Sequence, residues 1–289
     1  MSTNSVVIRR VVLRNYKSIA ACDVALTPLT FLVGANGSGK SNFLDSLRFV
    51  ADSLRTSLDH ALRERGTIKE VRRRSGGHPN HFAARIDFVL PDGGAGHFSF
   101  RVGAKPSGGY EVQNEECRVM PDEPGEPEAF YHVRSGMVTA SSAPQLPASL
   151  SDRLQLVAAS GLPAFRKVYD ALSSIQVYNL NPQEISAMQR PDPGELLRRD
   201  GGNASSVLQN LDSSTRERID AYLSRIVPGV QSVESKTLGK QETIEFRQVV
   251  RGQQHPWHFL AGSMSDGTLR ALGVLLAINQ LGAAGNVAR

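Results

Sequence analysis

Residues 34–41, Gly34-Ala35-Asn36-Gly37-Ser38-Gly39-Lys40-Ser41, fit the phosphate-loop pattern G-x-x-x-x-G-K-[ST]. The pattern constrains the fold because it works only between a strand and a helix. Thr30-Phe31-Leu32-Val33 is a β-prone apolar run ending at Gly34 and predicts the strand. From Asn42 to about Arg63, apolar Phe43, Leu44, Leu47, Val50, Leu54, Leu58 and Leu62 recur at spacings of three and four, predicting one amphipathic helix. Glycines let backbone approach phosphate oxygens with no Cβ in the way. Successive N–H groups at the positive end of a helix dipole form an anion nest. On this reading Gly34, Asn36, Gly37, Ser38, Gly39 and Asn42 shape the nest. Lys40 reaches the β- and γ-phosphates of ATP, and the Ser41 hydroxyl takes a Mg²⁺ coordination site.

The flanks predict a mixed fold. Residues 6–13 and 22–26 read as strands around an Arg14-Asn15-Tyr16-Lys17-Ser18 turn. Alternating runs at 84–90, 97–102, 110–119 and 130–133, separated by Pro-Asp-Gly-Gly and Pro-Ser-Gly-Gly turns, predict an antiparallel meander. Residues 65–80 read as a basic loop, with His78, Asn80 and His81 as loop residues, and 141–149 as another loop. Helices are expected over 163–174, over 204–211 with Asn203 as cap, and from Ser213 or Ser214 through Ile226. Short strands are expected at 175–178, 230–237 and 243–250, with Trp257 as a packing residue.

Ser263-Met264-Ser265-Asp266-Gly267-Thr268-Leu269-Arg270 opens a further apolar helix, and Ser265 and Thr268 suit an ordinary N-cap. Taken with strand, Arg-Asn-Tyr-Lys-Ser, strand and Asn36-Gly37-Ser38-Gly39-Lys40-Ser41-Asn42, it makes the chain resemble RecF/SMC-like ATPases. These are ABC-class AAA-type proteins that act on DNA or in anti-phage systems. The resemblance implies an α/β P-loop NTPase of ABC/SMC-head type, with an antiparallel β subdomain and a helical insertion. It implies an N-terminal ATPase lobe over 1–141, the insertion over 142–228, and a C-terminal lobe over 229–289 carrying the signature motif. In that family Ser265 and Gly267 would hold the γ-phosphate of ATP bound to the other subunit of a dimer. Asp266 and Thr268 depart from the transporter form of the signature. The 231 residues from Gly34 to Ser265 also disfavour a transporter subunit.

Such ATPases next need four apolar residues and Asp-Glu to hold Mg²⁺ and activate water. No acidic residue follows Asp266 here. The expectation is an N-terminal portion ending before that motif, or a natural truncation, that binds ATP but turns it over poorly by itself. A non-catalytic nucleotide switch or scaffold is the alternative.

Composition narrows the partners. No apolar run is long enough to cross a bilayer, and Cys22 and Cys117 make neither a metal cluster nor a disulfide framework. A cytoplasmic protein is expected. The net charge of +5 permits an acidic partner. Arg63, Arg65, Lys69, Arg72, Arg73 and Arg74 form a cluster suited either to DNA phosphates or to a solvated surface. The resemblance adds a defence effector, such as a nuclease, as a candidate partner.

Overall fold

A computed structural model describes residues 6–77, 79–123, 125–253 and 255–284. The chain forms two compact units, Met1–Val177 and Tyr178–Arg289.

The first unit is built on a seven-stranded antiparallel sheet in the order β2-β1-β3-β4-β5-β6-β7. Its strands are β1 Val7–Tyr16, β2 Ile19–Ala25, β3 His81–Val89, β4 Ala95–Ala104, β5 Tyr110–Met120, β6 Ala129–Arg134 and β7 Met137–Ser141. Period-two patterning decides which face is buried. On β3, Phe82, Ala84, Ile86 and Phe88 face the core, whereas Ala83, Arg85 and Asp87 between them do not. The core is shared with helices α1 Lys40–Arg55 and α5 Pro163–Ser173. Tyr16, Phe49 and Phe82 meet there edge to face, with Phe49 and Phe82 centroids 5.4 Å apart.

The helix expected over 42–63 is interrupted. α1 stops at Arg55, and Ser57 turns extended to cap a separate α2, Leu58–Arg63, its hydroxyl accepting from the His60 N–H. The expected basic loop contains one short helix, α3 Ile68–Val71, and His81 belongs to β3 rather than to a loop. His78 lies outside the described residues.

Residues 30–33 form no strand. A β-prone run becomes a strand only when another strand satisfies its N–H and C=O groups. Among the described residues none lies alongside. The chain instead closes a local turn, with the Thr27 N–H donating to Thr30 Oγ1 at 3.0 Å, and leaves Phe31 and Val33 78% and 91% exposed. Residues 175–178 are likewise irregular.

One buried carboxylate ties the sheet to α4 Gln155–Ala159. Glu115, on β5, accepts from the Tyr131 hydroxyl at 2.7 Å and from the N–H groups of Gln155 and Leu156 at 2.6 and 2.8 Å. Burial pushes its pKa up to about 7, and those three donors oppose the rise.

The second unit holds a three-stranded antiparallel sheet, β10-β9-β8, made of β8 Val230–Leu238, β9 Gln241–Gln248 and β10 Trp257–Leu260. Helices α6 Pro182–Ser186, α7 Ala204–Asn210, α8 Ser213–Ile226 and α9 Asp266–Ala284 complete it. Its core joins Val233, Ile244 and Phe246 of the sheet to Val207, Ile219, Leu223, Leu272 and Leu276 of the helices. Asp212, not Ser213 or Ser214, caps α8, because its carboxylate accepts from both the N–H and the hydroxyl of Thr215. Asn203 makes no cap bond to α7. Its carbonyl accepts from the Arg198 N–H and its amide donates to the Leu196 carbonyl, so it orders the preceding loop. Trp257 begins an edge strand and is 56% exposed, so it is not a packing residue.

Candidate functional site

The phosphate loop opens α1. Gly37 and Gly39 have φ of 80° and 96°, left-handed values that a side chain would strain. Gly39 is the N-cap of α1 and has no side-chain cap bond, so the first N–H groups of the helix are left to a ligand. A Cβ at Gly34 would come within 3.1 Å of Ser38 Oγ, so that position suits glycine by space. Lys40 Nζ is drawn into the loop. It donates to the carbonyls of Gly34 and Ala35 at 2.6 and 2.7 Å and to Ser38 Oγ at 3.3 Å. Ser41 is exposed in the first turn of α1, and Asn36 is exposed at the loop tip.

Beside the loop is a cavity of about 640 Å³, lined by Ile19, Ala21, Cys22 and Val24 of β2, by residues 31–34, and by Gly37, Gly39 and Lys40. Its volume falls in the range of small-molecule sites, and it joins apolar walls to a cationic floor. The donor set fits a polyphosphate: free helix N–H groups, one ammonium and one hydroxyl suited to Mg²⁺.

Behind the loop, the β1–β2 turn is clamped to α1. Asn42 Nδ2 donates to Ser18 Oγ at 2.7 Å. Asp45, one turn further along, receives the Tyr16 hydroxyl at 2.8 Å, Lys17 Nζ at 2.5 Å and Arg65 Nε at 3.1 Å. Arg65 also reaches Asp52 at 3.1 Å, and its guanidinium lies 5.3 Å from the Phe49 ring centroid. Burial alone would raise the Asp45 pKa, but Lys17 and Arg65 override it and the net direction is down. Sequence reading missed this clamp because its members are far apart in the chain. The positive φ of Asn15 (53°) and Lys17 (47°) marks the turn that presents them. Tyr16 is buried and its hydroxyl is spent on Asp45.

The clamp splits the basic cluster of residues 63–74. Arg65 is a buried structural cation with a side chain 5% exposed, whereas Arg63 and Arg74 pair on the surface with Asp59 and Glu70. Arg72 donates to the Pro79 carbonyl at 2.6 Å. Breaking a buried ion network strands its partners, whereas an exposed pair contributes little. Arg65→Ala is expected to destabilise the chain by about 2–4 kcal/mol and Arg63→Ala by less than about 0.5 kcal/mol. Urea unfolding followed by circular dichroism checks both. Equal effects would mean that the clamp is not a structural element.

Ser265 and Gly267 belong to the second unit. Ser265 Oγ accepts from the Thr268 N–H at 3.2 Å and lies 2.9 Å from the Thr268 hydroxyl, capping α9. Ser265, Asp266 and Gly267 are exposed, so the start of this 19-residue helix is open.

A family model described as "AAA domain, putative AbiEii toxin, Type IV TA system" matches residues 29–283. A solved SMC head bound to the C-terminal winged-helix domain of ScpA is similar over 96% of this chain and 76% of that one, at 15% identity and a TM-score of 0.51. That likeness extends to the fold. Another SMC ATPase structure aligns over 36% of this chain and 67% of that one, at 21% identity and a TM-score of 0.28, too distant to argue from. No curated protein sequence matches the chain. No helix among the described residues is long and apolar enough to cross a membrane. With a family match over most of its length and a P-loop ATPase fold of SMC-head type, the chain belongs to the family of AAA domains described as putative AbiEii toxins of type IV toxin–antitoxin systems.

Proposed function

We propose that the chain binds Mg-ATP at the phosphate loop and dimerises around it, as a cytoplasmic ATPase-type protein serving a DNA-related or anti-phage function. The observation that carries this reading is the open N-terminus of α1 behind Gly37 and Gly39, with the Lys40 ammonium already among the loop oxygens. Gly34, Asn36, Gly37, Ser38, Gly39, Lys40 and Asn42 shape the nest, and Ser41 takes the metal. Bound Mg²⁺ neutralises phosphate charge, and the residues of the chain orient and hold that phosphate. Ser265 and Gly267 of one copy present the start of α9 to ATP held by the other, supported by their exposure. A defence effector, a nuclease among the candidates, would respond to the dimer. The helices within 142–228 stand as an insertion between two ATPase lobes.

A second reading, a nucleotide switch or scaffold that holds ATP without consuming it, is supported by one observation. Asp45, one turn into α1, is held by Tyr16, Lys17 and Arg65 and is no free base.

Sedimentation velocity with and without Mg-ATP tests the dimer. Wild type is expected to shift to a dimer with nucleotide and Ser265→Arg to stay monomeric; absence of any shift in wild type would sink it. Steady-state phosphate release separates the two readings. These residues alone are expected to release well under about one phosphate per second, the low end of ordinary enzymes. Faster turnover that vanishes in Lys40→Ala would establish a catalytic acid within the chain and remove the switch reading.

A further inference from the structure

The sheet of the first unit has two faces, and the one turned away from the core carries a row of charge that strand register alone creates. Arg14 of β1 is paired with Ala83 of β3, and Ala83 with Arg101 of β4. Arg101 is paired with Asn114 of β5, and Asn114 with Arg134 of β6. The result is a straight line across five adjacent strands with an arginine on every second one. Strands lie about 4.8 Å apart, so neighbouring arginines are about 10 Å apart and the row spans about 19 Å.

Arg14, Arg101, Asn114 and Arg134 are all exposed. The three arginines make no ion pair among the described residues, whereas Arg10, Arg85 and Arg118 on the same face do. Asp87 and Glu116 of that face are engaged by other groups. Asp87 is held by Arg85 at 2.7 Å and Arg10 at 3.7 Å. Glu116 is held by His97 at 3.0 Å, His132 at 3.7 Å and Arg118 at 3.9 Å. Glu111, paired with Gly103 beyond a register shift at Arg101/Val102, is the carboxylate one step outside the row. A separate observation falls at the same place: a cavity of about 380 Å³ is lined by Arg14, Arg101, Asn114 and Arg134, with Arg85 and His132 at its side.

We propose that this row is a binding surface for the phosphate backbone of a nucleic-acid duplex. Unpaired guanidinium groups are the side chains suited to phosphate, by charge and by their forked donors. A duplex presents a dense and regular phosphate charge to a rigid, regularly spaced row. A single strand is held chiefly by aromatic platforms on which bases stack, and the row contains none. Binding is independent of sequence, because phosphate contacts position a duplex and do not read its bases. The surface shares no residue with the phosphate loop, so its failure would leave the ATP reading intact.

The test is fluorescence anisotropy with a labelled duplex of about 20 base pairs, with the protein titrated at several salt concentrations. Three phosphate contacts give a log–log salt slope of about −2.7, hence an affinity about 40-fold weaker at 200 mM than at 50 mM salt. The triple variant Arg14→Gln, Arg101→Gln, Arg134→Gln is expected to lose that slope and at least about tenfold in affinity at low salt. Each single variant should remove about one third of the slope, which keeps the test decisive if the triple variant does not fold. The double variant Arg63→Gln, Arg74→Gln should leave the slope unchanged. Wild type failing to bind the duplex at 50 mM salt, variants binding like wild type, or a single strand of equal length binding more tightly would each overturn the proposal. Polyglutamate competing as well as duplex would also overturn it and assign the surface to an acidic protein.

Discussion

Lys40→Ala is expected to weaken Mg-ATP binding about a hundredfold, from the loss of a charge-assisted contact of about 3 kcal/mol. In the structure the ammonium is not idle. It holds the carbonyls of Gly34 and Ala35 and the Ser38 hydroxyl, all acceptors that carry partial negative charge. A triphosphate in the nest would offer the same ammonium a full negative charge, so the contacts can be exchanged without leaving the cation bare. In the alanine variant the loop loses its own staple, and the phosphate meets only backbone N–H groups. Both effects lower affinity, but only the first depends on nucleotide charge. Calorimetry with ATP and with adenosine separates them. The variant should lose most of its affinity for ATP and little for adenosine. ATP binding equal to wild type would show that the nucleotide site lies elsewhere.

The second large effect concerns stability. Glu115→Ala is expected to destabilise the chain by about 3–5 kcal/mol, because it leaves three donors without an acceptor in a place closed to water. Those donors are the Tyr131 hydroxyl and the first N–H groups of α4, so the variant should both weaken the sheet and fray that helix. Glu115 also predicts a pH dependence. Its pKa rises from 4.5 in the unfolded chain to about 7 when folded, burial being the larger cause. A raised carboxyl binds its proton more tightly in the folded state. Its contribution is therefore full below pH 4.5 and is lost as pH rises through about 7. The span is worth about 3 kcal/mol. Glu115→Gln, which cannot titrate, should flatten the dependence of urea midpoint on pH across that window. A wild type with the same pH profile as Glu115→Gln would show that the carboxyl does not titrate there.

What the sequence made legible were the features decided by neighbours along the chain. The phosphate loop and the apolar stripe of α1 are local patterns, and so are the meander strands, whose alternation matches the buried face of β3 residue by residue. The breaks in that reading have one physical origin. Residues 30–33 have the composition of a strand but no partner strand among the described residues, and composition cannot supply one. The stripe from Phe43 to Leu62 continues across two helices because Leu58 and Leu62 stay buried while Thr56 ends one helix and Ser57 starts the next. Arg65 looked like its neighbours Arg63 and Arg74. Only the fold, bringing it against Asp45 and Asp52, makes it an interior cation. The arginine row was equally invisible, since Arg14, Arg101 and Arg134 are aligned by register across strands that are distant in sequence.

The turn that leaves residues 29–33 uncovered has a consequence for how this chain behaves among other proteins. Leu-Thr-Phe-Leu-Val is uncharged and β-prone, the composition that self-templates into cross-β ladders once exposed. Such ladders need segments of about six or seven residues. Here Pro28 lies on one side, and Gly34, Gly37 and Gly39 crowd the other. Proline cannot donate to a ladder, and glycine gives it no side chain to interlock. The run is held to five residues, and its gatekeeper at one end is the same glycine-rich loop that shapes the anion nest. Substituting those glycines to tune nucleotide affinity would therefore also lengthen the sticky segment, so solubility and affinity cannot be engineered there independently.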